Sequence, residues 1–253
     1  MLKFATIILL FYTLACVFLY IKQRDLLYFP TPENTQVNAT AIWIEQGSHR
    51  LKIWKINEGE NAIIYFGGNA ESVEYNIPEF RQFFAGYTVY LVNYRGYGGS
   101  SGSPSEQALF EDAAFIYDEI KKQHPSIGVI GRSLGSGVAC YLASEREVDR
   151  LALITPYDSI EALAQSLYPV FPVKWLLKDA FDSLSCAPSL SNPVLVLIAQ
   201  NDQVIPLKRS ENLLQSLTQA QVESHIIEDA THNDISSSAA YQQLLKNFFE
   251  QEG

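Results

Sequence analysis

Ser133 lies in Gly131-Arg132-Ser133-Leu134-Gly135, a G-x-S-x-G pattern. A serine hydroxyl is a poor nucleophile at neutral pH unless a base takes its proton and a third group orients that base. Given both, it attacks a carbonyl and forms an acyl-enzyme, the chemistry of ester, thioester and amide cleavage. The pattern alone is weak evidence, because at roughly 7% Gly and 7% Ser a chain of this length holds about 0.1 matches by chance. Its surroundings carry more weight. "SIGVI" before it reads as a buried strand and "SGVACYLASER" after it as a helix, so Ser133 falls on a sharp strand-to-helix turn. Gly131 and Gly135 lack side chains and let neighbouring backbone approach that turn.

The base must be a histidine on a loop at the carboxyl edge of the strands, where open sheets bind ligands. His49 falls in a hairpin turn, His124 at a helix end and His225 within a strand, which leaves His232 in "DATHND". For the acid, Asp202 in "IAQNDQVIP" follows a strand and precedes a helix, completing the order Ser, Asp, His along the chain. Asp158 in "TPYDS" is the runner-up, with a helix N-cap as its structural alternative. Asp229 and Asp234 lie close to His232 along the chain and are less favoured.

Acyl transfer passes through an oxyanion that needs two N–H donors. Leu134 supplies one at a helix start, where the helix dipole also favours negative charge. The second is expected in "FGGNAES", from Asn69 or Gly68.

These residues need a scaffold. "AIWIEQ" and "RLKIWKI" alternate in polarity around "GSH" and read as an antiparallel hairpin. Thereafter "NAIIYF", "TVYLVNY", "SIGVIG", "RLALIT", "PVLVLIA" and "SHIIED" alternate with helix-like stretches, the signature of βα units around a mostly parallel sheet. Core stripes recur at Leu109, Ala113, Ile116 and Ile120, and at Tyr241, Leu244, Leu245 and Phe248. The segment from about 159 to 190 breaks the alternation. It is helix-like, interrupted by Pro169 and Pro172 and rich in large apolar residues, and Tyr168, Phe171 and Trp175 are expected to form a lid or pocket over the site. Extra cover for one sheet face is the structural alternative.

The chain has 253 residues, 47% of them apolar and 18% charged, which suits one large α/β domain and excludes a disordered chain. Its net charge of −10, without a basic run, argues against nucleic acid as a partner. Three scattered cysteines suggest neither a disulfide framework nor a zinc site. Residues 4–21 are free of charge and span about 27 Å as a helix, close to a bilayer's hydrocarbon thickness. They read as a membrane anchor over residues 1–25, with a linker over 26–38 and the catalytic domain over 39–253. A cleaved signal peptide and a lipoprotein signal at Cys16 are the competing readings.

"GGNAES", "NYRGYGGSSGSPSE", "GRSLGSG", "NDQVIP" and "HND", in this order behind an apolar amino-terminal segment, resemble the membrane-anchored α/β-hydrolase-domain family. That family includes eukaryotic protein depalmitoylases and bacterial relatives. The resemblance implies an α/β-hydrolase fold and a serine hydrolase with Ser133 as nucleophile, Asp202 as acid and His232 as base. It further implies acyl ester or thioester substrates, lipid-like ones or acylated proteins included, and no metal or organic cofactor. It points to a single-pass location in a bacterial inner membrane, with the side of the domain left open. This chain has Gly67 where relatives carry histidine in His-Gly-Asn. A peptidase or amidase of the same fold, or a tethered binding module without catalysis, are the rival readings. Arg95 is assigned a structural ion pair, and Arg132 is left without a role.

Overall fold

The computed structural model describes residues 2–251. The chain opens with α1 (Leu2–Leu27), then the hairpin β1 (Thr40–Gln46) and β2 (His49–Ile56). There follow β3 (Asn61–Phe66), α2 (Ile77–Phe83), β4 (Tyr87–Val92), α3 (Glu106–Lys121), β5 (Ile127–Arg132), α4 (Leu134–Glu145) and β6 (Arg150–Ile154). Three short helices come next, α5 (Ile160–Leu167), α6 (Val173–Leu176) and α7 (Ser183–Cys186). The chain closes with β7 (Val194–Ala199), α8 (Leu207–Ser216), β8 (Val222–Ile227) and α9 (Ala239–Glu250).

The eight strands form one sheet in the order β1-β2-β4-β3-β5-β6-β7-β8. β1 and β2 are antiparallel to each other and β2 to β4, while β3 to β8 pair in parallel. The architecture is thus an α/β sheet with an antiparallel start, as the hairpin and the later βα alternation anticipate.

Strand residues alternate between two apolar cores, one on each face. Ile127 and Val129 of β5 join Ile116 of α3, Val138 of α4 and Leu213 of α8. Ile130 joins Phe80 of α2 and Leu245 and Phe248 of α9. A parallel sheet covered by helices on both faces needs such strands, because neither face meets water. Gly128 is required there: a Cβ at this position would stand 2.5 Å from the Phe249 ring.

α1 differs from the other helices. Its side chains are mostly exposed although most are apolar, and it is long and apolar enough to cross a membrane, a property shared by signal sequences. Its carboxyl end is tied to the domain. Arg24 donates twice to Asp179, at 2.8 and 2.9 Å, and Tyr28 donates its hydroxyl to the same carboxylate at 3.2 Å.

Candidate active site

Strand β5 ends at Arg132 and helix α4 begins at Leu134, so the single residue between them makes the whole turn. Ser133 does this at φ 49°, ψ −116°, a conformation that L-residues adopt only when their surroundings enforce it. The enforcement is visible. Ser133 N–H donates to Ile154 O at 2.9 Å, and Ser133 O accepts from Ser136 N and Ser136 Oγ at 2.8 and 2.6 Å. A Cβ on Gly135 would lie 2.1 Å from Phe66 O, and one on Gly131 would lie 2.4 Å from Gly135 O. Both glycines therefore serve close backbone approach.

Two further loops converge on the turn. His232 Nε2 lies 2.9 Å from Ser133 Oγ, and His232 Nδ1 lies 2.8 Å from Asp202 Oδ2. Asp202 is aimed by its own loop, since its other oxygen accepts from Val204 N and Ile205 N at 2.8 and 2.7 Å. His232 is held between Thr231, whose N–H donates to Asp234 Oδ1 at 2.6 Å, and Asn233. The backbone carbonyls of His232 and Asn233 accept from Arg132 Nη2 at 3.2 and 3.4 Å. The structure thus joins Ser133, His232 and Asp202 in one hydrogen-bonded chain with only slight exposure of the imidazole and carboxylate.

Two of the competing carboxylates, Asp158 and Asp234, are engaged by other partners. Asp158 pairs with Arg209 at 3.0 Å and accepts from Asn212 at 2.8 Å, fastening α8. It is not the cap of α5, a role taken by Ser159, which accepts from Ala162 N at 3.0 Å. Asp234 holds the histidine loop, and its contact with the Thr231 N–H lowers its pKa below the ordinary carboxylate value.

Leu134 N–H, at the start of α4, donates to no protein group among the described residues, and neither does Asn69 N–H. Gly68 requires a correction. It backs onto the turn, where a Cβ would stand 3.6 Å from Ser133 Cβ, but its N–H donates to Glu71 Oε2 at 2.6 Å and is thereby occupied. The side chain of Asn69 is spent on scaffolding. Its Nδ2 donates to Leu27 O at 2.6 Å, and its Oδ1 accepts from Phe29 N and Tyr97 Oη at 3.0 and 2.7 Å.

Glu71 is a site residue that sequence reasoning missed. Besides Gly68 it accepts from Tyr65 Oη at 2.6 Å and Asn76 Nδ2 at 2.7 Å, and it pairs with Arg132 at 3.3 Å. A carboxylate in the glycine loop and an arginine inside the elbow were the available signal. Arg95 forms a bidentate pair with Asp112, both bonds 2.7 Å, away from Ser133.

The cleft over Ser133 is polar and holds about 440 Å³, with Glu71, Asn76, Glu79, Arg132 and Asn233 in its walls. The lid expectation is corrected here. Tyr168 and Phe171 line a separate apolar cavity against α1, and Trp175, 83% exposed, lines neither space. The cause is local. Tyr12 donates to Val170 O at 2.8 Å and stacks on Phe171, which holds this stretch beside α1.

Fold and site together define an α/β hydrolase, and residues 61–182 match the family model described as the alpha/beta hydrolase fold. The chain belongs to the α/β-hydrolase-domain family. It is 30% identical over 235 residues to the uncharacterised protein Rv2307c of Mycobacterium tuberculosis, covering 86% of this chain and 83% of that one. It is 29% identical over 199 residues to the lysophosphatidylserine lipase ABHD12 of Macaca fascicularis, covering 68% of this chain and 50% of the lipase. Among solved structures, the esterase Pf2001 of Pyrococcus furiosus superposes with a TM-score of 0.70 at 18% identity, covering 88% of this chain and 98% of the esterase.

Proposed function

We propose that the protein is a membrane-anchored serine hydrolase that cleaves acyl esters or thioesters through a covalent acyl-enzyme. The observation that carries this reading is the hydrogen-bonded chain from Asp202 through His232 to Ser133, with its links of 2.8 and 2.9 Å. Ser133 Oγ attacks the acyl carbonyl while His232 Nε2 takes its proton. Asp202 accepts from His232 Nδ1–H, which selects the tautomer with a free Nε2 and offsets the imidazolium charge. The oxyanion is received by Leu134 N–H and Asn69 N–H. As the tetrahedral intermediate collapses, the alcohol or thiol leaves with the proton from His232. Water, deprotonated by the same imidazole, then attacks the ester carbonyl and releases the acid and Ser133.

α1 serves as a single-pass anchor. Its 26 residues span about 39 Å, and the uncharged run at 4–21 is bounded by Lys3 on one side and Lys22 and Arg24 on the other. The lipase among the relatives favours a lipid-like ester over a small charged one.

Labelling with a fluorophosphonate probe tests the reading. The wild-type chain is expected to label and Ser133→Ala is not. Equal labelling of both proteins would remove Ser133 from the mechanism. Release of amine from peptides, without release of acid from acyl esters, would favour a peptidase.

A further inference from the structure

Between β6 and β7 the chain leaves the sheet and runs back beside α1. Tyr12, near the middle of α1, holds Val170 and Phe171, while Gln23 and Arg24 near its end hold Leu176, Lys178 and Asp179. Positions 12 and 24 are about 18 Å apart along a helix. Val170 and Phe171 therefore lie at the level where α1 carries no charge, well away from the basic residues near its end. The charge pattern of the two segments agrees. Residues 162–173 carry no charged side chain, whereas Lys174 and Lys178 lie toward the end occupied by Lys22 and Arg24. Lys178 Nζ lies 4.0 Å from the centre of the Tyr20 ring. Leu167, Tyr168, Val170 and Trp175 are exposed, Val170 at 70%, and together they extend the apolar surface of α1.

Between α1 and this segment lies an apolar cavity of about 190 Å³, walled by Leu19, Leu26 and Leu27 on one side and Ile160, Ala164 and Phe171 on the other. The Gln23 amide in its wall is already bonded to Leu176 O and Lys178 N. The cavity and the catalytic cleft share no lining residue, and a hydrogen bond runs between their walls. Leu27, which lines the cavity, accepts from Asn69, which lines the cleft of Ser133.

We infer that this cavity binds a fatty acyl chain that enters sideways from the bilayer leaflet holding both α1 and the Leu167–Trp175 segment. The inference rests on the anchored acyl hydrolase proposed above and adds to it the route and the chemistry of the substrate's apolar half. A chain passing from lipid to an apolar cavity exchanges one apolar environment for another, so the site selects by shape and by access rather than by hydrophobic affinity.

The test uses the full chain in phosphatidylcholine vesicles containing a phosphatidylcholine with a diazirine at one acyl terminus. After irradiation the labelled residues are mapped by mass spectrometry. Labels are expected on the exposed Phe11 and Phe18 of α1 and also on Ile160 and Val173, which are buried and line the cavity. Labels on Phe11, Phe18 and Val170 with none on Ile160 or Val173 would overturn the cavity assignment and leave the anchor standing. No label on Phe11 or Phe18 would overturn both. Ala164→Trp fills the cavity and is expected to reduce labelling at Ile160 and Val173 by about tenfold or more while Phe11 still labels. Undiminished labelling at Ile160 and Val173 in that variant would also overturn the assignment.

Discussion

Arg132 and Glu71, 61 positions apart in the chain, meet at 3.3 Å in the wall of the Ser133 cleft. Burial is the largest single influence on the Arg132 charge and works against it, but the Glu71 carboxylate together with the Tyr65 and Tyr241 hydroxyls keeps the guanidinium pKa above its ordinary value. Arg132 adjoins Ser133, Glu71 fixes Gly68, and the other face of the guanidinium holds the His232 loop. One ion pair thereby sets the Ser133 turn, the Gly68 loop and the His232 loop relative to each other.

Glu71→Gln is expected to lower stability by about 2–3 kcal/mol in urea denaturation. This is less than the roughly 3–5 kcal/mol typical of a broken buried pair, because the carbonyls of His232 and Asn233 still accept from Arg132. An unchanged denaturation midpoint would show that the pair does not organise the site.

Asp202→Asn keeps the volume of the side chain but loses the carboxylate that selects the imidazole tautomer. Its kcat on a short-chain ester is expected to fall by about 10⁴, with the thermal midpoint nearly unchanged. A loss smaller than about tenfold would reassign the acid.

Asn69→Ala leaves the backbone N–H in place and removes the side chain that grips Leu27, Phe29 and Tyr97. Displacement of Asn69 N–H, a proposed oxyanion donor, is expected to lower kcat by about 10–100-fold, short of the 10²–10³ typical of a deleted donor, with KM for a short ester little changed. Binding of a boronic acid analogue should weaken in parallel with kcat. A rise in KM alone would instead mean that Asn69 contacts the substrate.

Gly135→Ala drives a Cβ to 2.1 Å from the backbone oxygen of Phe66, where no flexible side chain can yield. A stability loss of about 3 kcal/mol or more is expected, since even flexible overpacking costs 1–3 kcal/mol. A wild-type melting temperature would disprove the close approach of α4 and β3.

Asp234→Ala releases the Thr231 N–H and loosens the His232 loop. The Asp234 pKa is depressed in the folded chain, so its stabilisation is present above the ordinary carboxylate value of about 3.9 and is lost as pH falls through the lower folded value. Melting temperatures measured across pH should therefore show wild type above the variant near neutrality and the two converging in acid. A gap that widens as pH falls would contradict this linkage.

The elements themselves were legible in the chain. The runs "NAIIYF" and "PVLVLIA" correspond to β3 and β7, and the stripe Leu109, Ala113, Ile116, Ile120 lies on the buried side of α3. Periodicity records burial directly, because each strand or helix repeats its contact with the same core. The aromatic stretch at 168–175 was misread because apolar character says that a residue avoids water without saying which neighbour covers it.

Sequence by itself determined the order of strands and helices, the glycine-flanked turn that presents Ser133, and the apolar length of α1, since each depends on neighbours a few residues apart. Tertiary structure alone decided that Gly68 N–H is occupied, that Glu71 meets Arg132 and that Phe171 packs on Tyr12, and it brings Asp202, already favoured by its place along the chain, to His232. Apart from the Gly68–Glu71 bond, three positions apart, those contacts join segments separated by 30 to 159 positions, and their geometry is set by the packing of strands and helices between them, which no local pattern encodes.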